Sequence, residues 1–135
     1  MNRNDDADPR YSPEVLRRFK ELSGVGHLPP GPGVIHGVAG DREQGAEIEL
    51  DARVADGRIA EARFLAFGCP HLLAAASWLT EAMAGFDLRQ LDAWDWQEAA
   101  RTLEIPPAKY ARLLTLHDAA RDLARNWSNP DRSTV

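Results

Sequence analysis

Cys69 is the only cysteine among the 135 residues and the side chain best suited to covalent or metal chemistry. It lies in the segment Phe67-Gly68-Cys69-Pro70-His71, between a strand-like apolar run and an alanine-rich run with helical spacing. A thiol at a helix N-terminus is partly exposed and its thiolate form is favoured, although Pro70 removes one backbone N–H from that turn. With a single thiol, the chain can form neither an internal disulfide nor a site with several thiolate ligands.

Four histidines are further side chains that could bind a metal or act as a base. His71 lies two positions after Cys69, and residues at that spacing do not face each other on a helix. We therefore expect no Cys–His nucleophile pair and predict that the chain is not an enzyme. His27 and His36 lie in or near the first predicted strand and could be recruited to a metal, whereas His117 falls on an apolar helix stripe and is predicted to be a core histidine.

The composition indicates one folded domain without a basic face. Hydrophobic residues make up 44% of the chain and charged residues 27%, with a net charge of −5. This balance supports a hydrophobic core and argues against a nucleic-acid partner. No apolar run approaches the roughly 20 residues of a membrane span, and the N-terminus has no apolar signal-peptide core. We expect a cytoplasmic protein that binds neither nucleic acid nor membrane.

Hydrophobic alternation predicts three strands that form an antiparallel meander. The strands are expected at 34–38, 47–54 and 58–67. The turn signals are Ala39-Gly40-Asp41 after the first strand and Asp56-Gly57 between the other two. On the third strand, alternation places four side chains on one face: Ala60, Ala62, Phe64 and Ala66.

Helices are needed to cover the apolar face of this sheet. The predicted helices run from Ser12-Pro13 to about Leu22, from Pro70 to Ala84, from Asp95 with Glu98 as its capping-box partner, and from Pro106-Pro107 onward. The fold class is therefore α+β: a three-stranded antiparallel sheet covered by about four to five helices. We expect a single domain over residues 11–127 and disordered tails over 1–10 and 128–135.

Six short segments follow one another in a characteristic order. They are Tyr11-Ser12-Pro13-Glu14-Val15-Leu16, Ala39-Gly40-Asp41, Gly57-Arg58-Ile59-Ala60-Glu61-Ala62-Arg63-Phe64, Phe67-Gly68-Cys69, Ile105-Pro106-Pro107-Ala108-Lys109 and Asp118-Ala119. In order and spacing, the chain from Tyr11 to about Ala124 resembles the scaffold proteins of iron–sulfur cluster assembly, of the IscU type and the N-terminal domain of NifU. The resemblance implies the same α+β fold.

The resemblance also implies a set of metal ligands, of which this chain keeps two. Family members hold their cluster or zinc with three cysteines, assisted by an aspartate and a histidine. The Cys-Gly-Asp motif reads Ala39-Gly40-Asp41 here, the second cysteine is Cys69, and the final His-Cys pair is replaced by Ala111 and Arg112. Asp41 and Cys69 are the residual ligand positions. Because zinc takes four ligands and clusters prefer thiolates, we expect no cofactor on the isolated monomer, whereas the family implies an iron–sulfur cluster, iron or zinc.

Arg112 gives a hypothesis about the altered site. A permanent cation at the position of a cluster cysteine is expected to pair with the Asp41 carboxylate and to close the site. The alternative is a solvated residue on the helix surface.

Protein partners are implied by the resemblance as well. In the family, a Leu-Pro-Pro-Val-Lys loop is recognised by a dedicated Hsp70-type chaperone, and its counterpart here is formed by Ile105, Pro106, Pro107, Ala108 and Lys109. Ile and Ala in place of Leu and Val leave less apolar surface for a peptide groove. A cysteine desulfurase and an intact scaffold are the other implied partners.

Two functions follow from these residues. The first is a scaffold-like protein of iron–sulfur cluster assembly with impaired or no independent cluster binding, in which Cys69 accepts sulfur or lends a single metal ligand. The alternative is a regulatory protein without a metal that binds the cysteine desulfurase or an intact scaffold.

Overall fold

The computed structural model describes residues 10–128, which form one three-stranded sheet and five α-helices. The elements, in chain order, are α1 (Pro13–Lys20), β1 (Val34–Asp41), β2 (Ala46–Ala55), β3 (Arg58–Phe67), α2 (Pro70–Met83), α3 (Leu88–Asp92), α4 (Trp96–Thr102) and α5 (Tyr110–Ser128). The strands pair antiparallel in the order β1-β2-β3. This confirms the predicted α+β class. No helix within residues 10–128 is long and apolar enough to cross a membrane.

At the start of β3, the side chain that faces the core differs from the predicted one. Arg53 pairs with Glu61, but the next residue, Val54, pairs with Ile59, so the register shifts by one residue between β2 and β3. Ile59 is consequently buried and Ala60 is exposed. A bulge breaks the strict alternation of a strand, and the predicted placement of Ala60 in the core is therefore wrong.

The helix ends agree with the predicted capping signals only in part. Ser12 caps α1 by accepting a hydrogen bond from the Val15 amide (3.1 Å). Asp95 caps α4 through the Gln97 amide without the expected capping box with Glu98. The reciprocal capping box begins α3, a helix that the sequence analysis missed, and is formed by Asp87 with Gln90.

The predicted tails lie almost entirely outside the described residues. Ser128, expected in the C-terminal tail, is the last residue of α5. At the other end of this helix, the turn Pro107–Lys109 is a 3₁₀ turn and the α-helix begins at Tyr110.

The helices cover the face of the sheet that carries Ile48, Leu50 and Ala52, all of which are fully buried. α5 packs closely against β1 at Gly37. A Cβ atom on Gly37 would lie 2.5 Å from the Leu123 amide nitrogen and 2.6 Å from the Ala119 carbonyl oxygen. The absence of a side chain at Gly37 therefore allows the helix to pack directly on the backbone of the strand.

The segment 23–33 contains no regular helix or strand, as predicted, but its first half is hydrogen-bonded to the edge of β3. The Phe64 amide donates to the Gly24 carbonyl (2.7 Å), and the Gly26 amide donates to the Phe64 carbonyl (2.8 Å). The chain then turns across β2, where the Leu28 amide donates to Asp51 (2.9 Å). These bonds fix the position of His27.

Candidate functional site

The predicted ligand positions lie around one end of the sheet. β1 ends at Asp41, which pairs with Ala46, and β3 ends at Phe67, which pairs with Glu47. A Cβ atom on Gly68 would lie 3.5 Å from the Gly45 carbonyl oxygen, and one on Gly45 would lie 3.5 Å from Arg112 Nη2. We call the region formed by Ala39–Asp41, Gly45, Gly68–Cys69 and Ala111–Arg112 the site corner.

Cys69 is a half-buried free thiol at the N-cap of α2. Its Sγ lies 4.0 Å from Nδ1 of His71, which corrects the expectation that these two side chains do not face each other. The spacing rule applies to residues within a helix, whereas Cys69 has an extended backbone (φ −79°, ψ 168°) just ahead of it. The thiol is therefore free to turn back over the first helical turn.

His71 is only 2% exposed, and its Nε2 has no hydrogen-bond partner within residues 10–128. Burial, with a smaller contribution from the positive charge of Lys109, lowers the pKa of His71. The imidazole is therefore neutral near neutral pH and a poor acceptor for the thiol proton. A neutral imidazole beside Cys69 does not provide the thiolate–imidazolium pair of cysteine enzymes.

Asp41 is exposed, and its carboxylate is used locally. Its Oδ1 accepts a hydrogen bond from the Gln44 amide (2.8 Å) and thereby caps the 3₁₀ turn Arg42–Gln44. Asp41 and Arg112 form no ion pair among the contacts of residues 10–128, so the predicted closure of the site by that pair is wrong. The guanidinium of Arg112 is half-buried against Gly45 instead, and its Nε has no partner in the described part of the chain.

A cluster or zinc ion does not fit the residues that remain. Within the described range, no group of three or more histidine, cysteine, aspartate or glutamate side chains could hold a metal ion. At the site corner Cys69 and Asp41 are the two candidate ligands, and the Asp41 carboxylate already caps a turn. A zinc site needs about four ligands, and iron–sulfur clusters need several thiolates. One chain therefore lacks the donors to hold either group at this corner.

The loop predicted to contact a chaperone precedes α5 and is exposed only in its centre. Ile105 is 4% exposed and belongs to the hydrophobic core, whereas Pro106, Pro107 and Ala108 are exposed. Lys109 is half-buried. The largest apolar side chain of the loop is thus unavailable to a partner in the folded domain.

His27 and His36 meet a residue that the sequence analysis missed. Asp51, on β2, is only 3% exposed and accepts hydrogen bonds from Nδ1 of both histidines, at 3.1 Å from His27 and 2.7 Å from His36. The signal was present in the register, because His36 and Asp51 lie directly opposite each other. Asp51 lies on the polar face of β2, which alternation predicts to be solvent-exposed. The sequence therefore did not predict that the segment 23–30 would bury this aspartate.

His117 is half-buried on α5, in partial agreement with the prediction of a core histidine. Its ring stacks against Trp94 with a centroid separation of 6.4 Å and an interplanar angle of 28°. Nδ1 of His117 has no hydrogen-bond partner within the described range. No ligand role follows from this packing.

Comparison with known proteins agrees with this fold. The family model for the NifU-like N-terminal domain matches residues 10–128. Iron sulfur cluster assembly protein 1 of Schizosaccharomyces pombe, a mitochondrial protein, is 28% identical over 127 residues, which is 93% of this chain and 66% of that protein. The chain thus spans just under two thirds of the length of this relative. The iron-sulfur cluster assembly scaffold protein IscU of Haemophilus influenzae is 30% identical over 113 residues, covering 82% of this chain and 90% of that protein.

Solved structures support the same architecture. The N-terminal part of a NifU-like protein from Brucella abortus superposes with a TM-score of 0.69 at 18% identity, covering 89% of this chain and 95% of that structure. At this identity the likeness concerns the fold alone. The relatives are named as assembly and scaffold proteins, which agrees with the prediction that the chain is not an enzyme. Fold, sequence and family model together show that the chain belongs to the family of NifU-like N-terminal domains.

Proposed function

We propose that this domain serves in iron–sulfur cluster assembly as a scaffold-type protein that does not hold a cluster by itself. The observation that carries the proposal is the site corner, where a half-buried Cys69 remains at the end of β3. Ala39, Ala111 and Arg112 stand where the family resemblance expects the other ligands. In this proposal the chain retains the family's role in cluster assembly but does not bind a cluster independently. A cytoplasmic location stays a prediction, since some relatives carry mitochondrial names.

Within this function, Cys69 is the acceptor of one sulfur atom or a single ligand to a metal shared with a partner. As an acceptor, its thiolate attacks the outer sulfur of a donor persulfide; the new S–S bond forms at Cys69 and the donor leaves as a thiolate. The exchange balances without an external oxidant. The neutral His71 beside Sγ does not stabilise the thiolate by charge, so the donor must be brought close by a protein partner.

Restoring the missing ligands tests the loss of cluster binding. Three proteins are reconstituted anaerobically with iron and sulfide: the native chain, Cys69→Ser, and the combined variant Ala39→Cys, Ala111→His and Arg112→Cys. After desalting, we expect the first two to be free of iron and the restored variant to retain iron and sulfide. A native chain that binds them stoichiometrically, and loses them on Cys69→Ser, would contradict the proposal.

Sulfur transfer is tested separately with a persulfidated cysteine desulfurase. Mass spectrometry of the intact chain is expected to detect one added sulfur atom on the native protein and none on Cys69→Ser. Transfer is also expected to require the desulfurase, because the half-buried Cys69 thiol is poorly accessible to free persulfides in solution. If the native chain gains no sulfur while an intact scaffold does under the same conditions, Cys69 is not an acceptor.

A second candidate function is regulation through binding alone. The half-buried Arg112, which lacks an ion-pair partner within residues 10–128, puts a cation at a position where the family resemblance expects a cysteine, and this favours regulation through binding. Such a protein would bind the cysteine desulfurase or an intact scaffold without a metal, and an Hsp70-type chaperone through Pro106, Pro107 and Ala108. Pull-downs with each purified partner and with Arg112→Ala test it, and capture of none of them would exclude this function.

A further inference from the structure

The sheet has two outer edges, and they are covered in different ways. The strand order β1-β2-β3 leaves β1 and β3 outermost within residues 10–128. The edge of β3 is hydrogen-bonded to the backbone of the segment 23–33, whereas no further backbone segment pairs with β1 in this part of the chain. An open edge presents free N–H and C=O groups to which another strand can bind. The edge of β1 is therefore where a second chain could extend the sheet.

Two side chains of α5 cover the middle of this edge. The Val38 amide donates to Oδ2 of Asp122 (2.9 Å), and Nδ2 of Asn126 donates to the His36 carbonyl oxygen (2.5 Å). The other carboxylate oxygen of Asp122 accepts a hydrogen bond from Arg125 (2.9 Å). Both oxygens of Asp122 are thus engaged, and the carboxylate is held in the orientation that meets the strand.

These two bonds reproduce what a further antiparallel strand would provide. In an antiparallel pair, the carbonyl before a non-hydrogen-bonded residue and the amide after it both point to the neighbouring strand. Gly37 is such a residue on the outer side of β1, flanked by the His36 carbonyl and the Val38 amide. A carboxylate accepts hydrogen bonds and an amide NH₂ group donates them. Asp122 therefore stands in for a carbonyl of the missing strand, and Asn126 stands in for its N–H.

The strand that this edge fits is β1 of a second copy. Antiparallel pairing about Gly37 is self-complementary: with a two-fold axis at this residue, the Val38 amide of each copy faces the His36 carbonyl of the other. The side chain of Val38 is 56% exposed. Pairing would bury part of this apolar surface as well as satisfy the backbone groups.

We propose that Asp122 and Asn126 form an autoinhibitory contact that seals β1 against pairing with β1 of a second copy. Both hydrogen bonds lie at the exposed surface, so the seal is broken by movement of two side chains without unfolding of the core. None of the residues involved belongs to the site corner. The proposal is therefore independent of any role of Cys69 in cluster assembly.

Self-association of the full chain tests the seal. It is measured by sedimentation equilibrium in a reducing buffer, which prevents disulfides through Cys69. The double variant Asp122→Ala, Asn126→Ala removes both bonds, and it is expected to lower the Kd of dimerisation about tenfold or more relative to the native chain. The matched control, Asp118→Ala with Arg121→Ala, truncates two exposed side chains of the same helix and should leave the Kd unchanged.

A proline identifies the surface that the dimer uses. Val38→Pro removes the outward N–H of β1 and leaves the ladder to β2 intact, and proline is tolerated on an edge strand in this orientation. Added to the double variant, it should abolish dimerisation. Hydrogen exchange measured by mass spectrometry should also show residues 34–41 of the double variant becoming more protected as its concentration rises.

Circular dichroism verifies that each variant is folded. The single variant Asn126→Asp puts an acceptor opposite the His36 carbonyl, should shift the Kd in the same direction, and replaces the double variant if that protein does not fold. The proposal is overturned if the opened variants associate no more strongly than the native chain, or if the control associates as strongly as they do. It is equally overturned if Val38→Pro leaves the dimer intact.

Discussion

Asp51→Ala is expected to destabilise the domain by about 3 kcal/mol at neutral pH. The substitution leaves the buried Leu28 amide without an acceptor, which costs about 1–3 kcal/mol. The two histidines are half exposed and can bond to water instead, so each lost contact adds at most about 1 kcal/mol. Relief of the burial of a charge offsets part of the sum. Urea denaturation measures the change.

The same substitution should have a characteristic pH dependence. Burial by itself raises the pKa of Asp51, but the hydrogen bonds from His36, the Leu28 amide and His27 outweigh it and hold the pKa below its usual range. A carboxyl whose pKa is lower in the folded state stabilises the protein fully above its unfolded-state pKa, about 3.9. That stabilisation is lost as the pH falls through the folded-state pKa. The cost of Asp51→Ala should therefore shrink as the pH falls below about 4.

Two controls separate the charge from the geometry. Asp51→Asn keeps an oxygen for the Leu28 amide and should cost about half as much as Asp51→Ala. Glu49→Gln, on the same face of β2 and half-buried, should change the free energy of unfolding by less than about 0.5 kcal/mol. The reasoning is refuted if Asp51→Ala costs less than Glu49→Gln, or if its cost does not fall between pH 5 and pH 3.

Three further substitutions test the packing and the capping, all by urea denaturation. Gly37→Ala places a methyl group against the backbone of α5 and should lower the free energy of unfolding by up to about 3 kcal/mol. The control Gly31→Ala, with no atom within 4 Å of the new Cβ, should leave it unchanged. Equal effects of the two substitutions would contradict the close approach of α5 to Gly37. Ser12→Ala removes the cap of α1 and should cost about 1–2 kcal/mol, which Ser12→Thr should largely restore. Phe64→Ala, at a side chain that is 1% exposed, should cost about 3–5 kcal/mol, and a loss below 1 kcal/mol would show that the core collapses into the cavity.

The fold could be predicted from the sequence where the signals are local. Ser12-Pro13 marked the start of α1, and the Asp56-Gly57 turn fixed the β2–β3 hairpin. The bulge opposite Arg53 and Val54 left no local trace, because alternation counts residues along one strand and a bulge depends on the pairing of two. The short helix α3 was missed for a different reason: its five residues are too few to establish a helical period, and its clearest signal is the capping box of Asp87.

The residues of the candidate site could be predicted from the sequence, but the contacts between their side chains could not. The family resemblance grouped Asp41, Cys69 and Arg112 at one site, and the structure places all three around one end of the sheet. The partner of each side chain depended on the backbone nearby: Asp41 bonds to the turn that follows it, and the extended N-cap conformation lets Cys69 reach His71. Long-range pairings such as the Arg112–Asp41 ion pair compete with these local bonds, and here the local bond formed.

The hydrogen bond from the Gln44 amide to Asp41 changes how an aspartate at this position should be interpreted in related sequences. As a cap, its oxygen can be supplied equally well by asparagine or serine, whereas a hard, anionic metal ligand cannot be exchanged so freely. In a lineage that no longer holds a metal at this corner, drift from aspartate to asparagine or serine at position 41 would be nearly neutral. Retention of the carboxylate is thus weak evidence of metal binding, and a change at Cys69 would be the more informative divergence.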